Sequence, residues 1–106
     1  MRRTLSPLLT AALLASGAGL AGADEHALAP ERVRAIADSC AQCHGTDGRM
    51  EGAIPRIAGQ SRERLEERLL GFRSGEHDAT VMGTITRGYS EAELKALARY
   101  FAEIDD

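Results

Sequence analysis

Two thiols and an imidazole stand together in the run C-A-Q-C-H, as Cys40, Cys43 and His44. On a helical turn, positions i, i+3 and i+4 project to one side. Two cysteines so placed can both reach the edge of a planar ligand, while the histidine sets a ring nitrogen against a metal at its centre. Cys-x-x-Cys-His is the attachment signal for c-type haem, the thiols joining the two vinyl groups and His44 binding the iron. A covalent tether keeps such a group bound in a chain too small to enclose it. Other chemistries use the same residue types. A Cys40–Cys43 disulfide closes too small a loop to staple a domain. A thioredoxin-like redox pair wants βαβ elements around it, and this chain has almost no strand signal. A zinc site needs His26 or His77 as a distant fourth ligand, without zinc-finger spacing.

The opposite face of such a haem decides the class of function. Five-coordinate iron binds small molecules, as in a peroxidase or a sensor; six-coordinate iron mainly passes electrons. The candidate distal ligands are Met82, Met50, His77 and His26. Met82 lies 38 residues beyond His44, in V-M-G before the last predicted helix. A segment of that length can pass around the haem edge, so Met82 is the expected ligand. Met50, six residues after His44, needs an awkward strap around the porphyrin and reads as an exposed loop methionine. His77, between Glu76 and Asp78, reads as a solvated loop residue, and His26 as part of a frayed leader. Thioether plus imidazole raises the haem potential and closes the iron to exogenous ligands. His44 also needs a partner for its other ring N–H, for which the Pro55 carbonyl is the candidate. Arg56 and Arg87 are candidates to pair with the propionates.

The elements that must position these residues are helices. Pro30 suits a first helical position, and Val33, Ile36, Ala37 and Cys40 then recur at i, i+3, i+4 and i+7. Gly45 to Gly59 has no period and reads as a loop wrapping the cofactor. Ser61 is a plausible N-cap for a second helix carrying Leu65, Leu69 and Phe72 on one face and ending at Gly75. Its charged residues at 62–64 and 66–68 read as a solvated face. Thr80 to Thr86 is β-branched but interrupted by Gly83, and is expected as a loop or short helical turn. Ser90 and Glu93 form a capping box before the stripe Leu94, Leu97, Ala98 and Phe101. The first and last helices, with matching stripes, are expected to pack on each other in an all-α domain.

With 106 residues, the chain has room for one small domain and none for a doubly wound sheet or barrel. Met1-Arg2-Arg3, the apolar Leu5 to Leu20 and the small-x-small Ala21-Gly22-Ala23 read as a cleaved signal peptide over 1–23. Its apolar region is short and broken by Pro7, Ser16, Gly17 and Gly19, which argues against a retained anchor. Cleavage leaves an 83-residue monohaem domain, 24–106, with 11 basic and 16 acidic residues and a formal charge of −5. That balance disfavours nucleic acid as a partner and favours steering toward a basic surface. The four aromatics (Phe72, Tyr89, Tyr100, Phe101) supply little bulk. A haem would supply the missing core.

C-A-Q-C-H-G, I-P-R-I-A-G-Q, V-M-G-T-I-T-R-G-Y-S and L-A-R-Y-F-A together resemble the small bacterial class I cytochromes c, over essentially the whole chain after residue 23. The stretch from Ser74 to Leu94 is similar to the cytochrome subunits of flavocytochrome c sulfide dehydrogenases. The resemblance implies a compact all-α fold whose N- and C-terminal helices cross near one haem c. It implies thioethers at Cys40 and Cys43, His44 as proximal and Met82 as distal ligand, and the Pro55 carbonyl orienting His44. It further implies a periplasmic, non-enzymatic electron-transfer subunit. A separate FAD subunit would oxidise sulfide and pass electrons to it one at a time, for delivery to a downstream acceptor protein. Some relatives carry two haem domains, whereas this chain has one motif. The alternative is a free shuttle to an oxidase or photosynthetic reaction centre.

Overall fold

Three helices form where the caps and stripes require them, and a fourth joins them, in a computed structural model that describes residues 28–105. The expected signal peptide and the leader up to residue 27, with His26, lie outside the described residues. Helix α1 runs over Pro30–His44, α2 over Arg62–Ser74, α3 over Thr80–Arg87 and α4 over Glu91–Ala102. No strand occurs among the described residues.

The starts of α1, α2 and α4 have local causes. Pro30 occupies the start of α1, where a missing N–H costs nothing. Ser61 Oγ accepts the Arg64 N–H at 3.2 Å, and Gly75, at φ 85°, ends α2. At α4 the box closes reciprocally: Ser90 Oγ accepts from the Glu93 N–H at 3.1 Å, and Glu93 Oε1 accepts from the Ser90 N–H at 3.2 Å. Glu93 is 8 % exposed and also receives Arg32 Nε at 3.2 Å, which ties α1 to the start of α4.

The stripes meet as expected. Val33, Ile36 and Ala37 of α1 pack with Leu94, Leu97, Ala98 and Phe101 of α4, and Leu65 of α2 joins them. Ala98 is fully buried. Full burial of each large apolar side chain contributes about 1.5–3 kcal/mol. Phe101 is the only fully buried aromatic among the described residues, with Tyr100 meeting it edge-on at 5.3 Å between centroids.

Between α1 and α2 the chain loops as predicted, with a short 3-10 turn over Thr46–Gly48. Gly48 (φ 73°) is the hub of this loop. Its carbonyl accepts from the N–H groups of Ile57 at 2.9 Å and Ala58 at 3.0 Å. A Cβ there would sit 2.5 Å from Ile57 and 3.1 Å from the Phe101 ring. Only glycine lets the loop fold back onto α4.

Of the two forms expected for this segment, a loop or a short helical turn, Thr80–Arg87 takes the helical one and extends it to two turns. Thr86 is 1 % exposed, and its hydroxyl donates to the Met82 carbonyl at 2.7 Å, so its polar group is satisfied within the helix. Burial against α2 outweighs the weak helix propensity of the β-branched run.

Candidate functional site

The last turn of α1 carries Cys40, Cys43 and His44 together onto the wall of a cavity of about 860 Å³. That volume is ample for a large cofactor. Its walls come from all four helices and the loop, and Pro55 and Met82 are part of them. All five predicted site residues are therefore brought to one place. Cys40 and Cys43 are free thiols. Burial is the main cause that pushes the Cys40 thiol up from its ordinary pKa, with a hydrogen bond to Ser39 opposing it. Cys43 is exposed. No group of three or more His, Cys, Asp and Glu is arranged to hold a metal ion among the described residues.

His44 is 8 % exposed, and its Nδ1 lies 2.7 Å from the Pro55 carbonyl. A carbonyl only accepts, so Nδ1 carries the proton and donates. In the neutral ring that tautomer puts the lone pair on Nε2, as a metal ligand requires.

Met82 reaches the cavity from α3, between Val81 and Ile85, which are 63 % and 41 % exposed at its mouth. Met50 is 41 % exposed and is not part of the cavity wall. Its N–H donates to the His44 carbonyl at 2.8 Å, closing the turn that follows α1. His77 is not the solvated residue its neighbours suggest. Its side chain is 25 % exposed and packs on α2, outside the cavity, with Nε2 2.7 Å from Glu67 Oε1.

The arginines named as candidate propionate partners, read otherwise as surface residues, lie away from the cavity wall. Arg56 Nε donates to the Ala58 carbonyl at 3.2 Å, and its guanidinium lies 3.7 Å from Glu51. Neither Arg56 nor Arg87 lines the cavity. Arg64 and Arg68 do, one turn apart on α2, with Gln60 beside them. The helical face expected to be solvated is exposed at both arginines and also sets these two cations at the rim. Their i,i+4 spacing next to Leu65 and Leu69 was the signal available in the sequence.

The sequence model of the cytochrome c family matches residues 30–105. The chain is 41% identical over 98 residues to the cytochrome subunit of sulfide dehydrogenase of Chlorobaculum tepidum, covering 87% of this chain and 89% of that one. It is 31% identical to cytochrome c-553 of Nitratidesulfovibrio vulgaris, over 98% of this chain and the full length of the relative. It is also 41% identical over 69 residues to the thiosulfate dehydrogenase electron acceptor of Stutzerimonas stutzeri, of which that stretch is 32%. With the match running through every described helix and the cavity they enclose, the chain belongs to the cytochrome c family: it is a monohaem c-type cytochrome that carries one covalent haem c and transfers electrons.

Proposed function

We propose that this cytochrome is the exported electron-transfer subunit that accepts electrons from the FAD subunit of a sulfide dehydrogenase. The observation that carries this is the similarity to a sulfide dehydrogenase cytochrome subunit across 87% of the chain. In this reading residues 1–23 direct export to the periplasm and are removed, and 24–106 form the working domain. The bound haem supplies one-electron iron chemistry; sulfide oxidation belongs to the partner.

The chain's own residues prepare that exchange. Cys40 and Cys43 form the covalent tether. His44, on α1 with its tautomer set by the Pro55 carbonyl, and Met82, on α3, would be the residues that hold the iron. Two protein ligands leave no open position for substrate and keep reorganisation small. The surrounding apolar side chains exclude water and, with the thioether, favour the less charged reduced state. Arg64 and Arg68 offer guanidinium donors to the propionates at the rim. Val81 and Ile85 give the cavity mouth an apolar border for a docking flavoprotein.

Purification from the native source tests the assignment. A flavin-containing subunit that co-elutes and reduces the cytochrome when sulfide is added is the expected result. A lone cytochrome that no sulfide-oxidising flavoprotein reduces would favour the free shuttle. Transfer from a thiosulfate-oxidising enzyme is the further outcome to be checked, given the likeness to a thiosulfate dehydrogenase electron acceptor.

A further inference from the structure

The connection between α2 and α3 is fastened at one residue. His77 donates its backbone N–H at 3.0 Å to the Gly71 carbonyl, which also accepts from the Ser74 hydroxyl at 3.1 Å. Its Nε2 donates toward Glu67 Oε1 at 2.7 Å. Its ring meets Phe72 edge-on, with centroids 5.8 Å apart. Gly71 forms the floor of this seat: a Cβ there would collide with His77 Cδ2 and Nε2. A glycine within a helix costs about 1 kcal/mol relative to alanine. Here that glycine is buried in the last turn of α2, where it makes room for the imidazole.

The seat lies between two parts of the cavity. Phe72, which holds the ring on one side, is itself a wall residue. Asp78 and Ala79, which follow His77, are wall residues too, and α3 begins directly after them. Met82 lies five residues beyond His77, on the first turns of that helix. Fixing His77 therefore fixes where α3 enters, and with it the height of Met82 over the cavity.

We infer that His77 is a positioning residue for Met82, docked on Glu67, Gly71 and Phe72 so that α3 presents its thioether to the iron. This rests on Met82 being the distal ligand. Because α3 also packs on α2 directly, removing the latch leaves Met82 able to bind and makes it easier to displace.

The test uses the ferric holocytochrome and imidazole as a competing ligand, followed by the near-infrared sulfur-to-iron absorption. His77→Ala and Gly71→Ala, which undo the seat from opposite sides, are each expected to lower the imidazole concentration for half-displacement by about tenfold, because the ligated population weakens relative to the open one. His77→Gln, which retains a donor for Glu67, is expected between them and the unaltered protein. In a Met82→Ala background, His77→Ala should leave imidazole affinity unchanged, since no thioether remains to be positioned. The latch is overturned if His77→Ala is displaced at the unaltered protein's concentration, or if it changes imidazole affinity equally with and without Met82. Loss of the ligand reading has its own signature: a sulfur-to-iron absorption that persists in Met82→Ala.

Discussion

The imidazole of His44 and the carbonyl of Pro55 are 2.7 Å apart, joining residues 11 positions apart in the chain through a bond with only one possible donor. The bond increases the electron density on Nε2 and so favours the oxidised iron. Pro55→Ala leaves the carbonyl in place but frees the backbone that aims it. The reduction potential is therefore expected to rise, by up to about 40 mV if a hydrogen bond of about 1 kcal/mol is lost. Potentiometric titration checks this; an unchanged or lower potential contradicts it.

Met82→Ala should abolish the weak near-infrared sulfur-to-iron absorption and open the ferrous iron to carbon monoxide. Loss of the thioether should also lower the potential, since that ligand favours the reduced state. An unaltered spectrum would send the distal assignment elsewhere.

Replacing both Cys40 and Cys43 by alanine should abolish covalent attachment. Haem staining after a denaturing gel reads this directly: the unaltered chain stains and the double variant does not.

Arg64 and Arg68 stand at the rim, whereas the Arg56 guanidinium sits by Glu51. Arg64→Gln and Arg68→Gln should each lower the potential, by roughly 20–40 mV for an exposed charge pair of about 0.5–1 kcal/mol. The shift should shrink as salt is added. Arg56→Gln should shift it less. A larger shift in Arg56→Gln would return the propionates to that residue.

Ser90→Ala removes the hydroxyl half of the α4 capping box. Loss of about 1 kcal/mol is expected, seen as a lower denaturant midpoint with an unchanged haem spectrum. A spectral change at low denaturant would mean that the start of α4 also shapes the site.

What the sequence determined by itself was local. Pro30, Ser61 and the Ser90–Glu93 box announce three helix starts, the proline by lacking an N–H that would go unpaired and the others by satisfying backbone donors within a few residues. Cys40, Cys43 and His44 need only one helical turn to share a side, so the haem attachment was legible before any fold. The stripes of α1 and α4 likewise carry their burial in their spacing.

Tertiary structure decided the rest. Thr80–Arg87 has a β-branched, glycine-interrupted sequence whose local preference is weak, and it becomes a helix through packing on α2. His77 has Glu76 and Asp78 beside it in sequence, but its partners in space are Glu67, Gly71 and Phe72 of α2, which spacing does not reveal. Arg56 and Arg64 cannot be told apart by composition; only the path of the loop turns one toward Glu51 and sets the other at the cavity. Spacing records which residues share a helical face. What that face meets depends on contacts between segments far apart in the chain, and those exist only once the helices have packed.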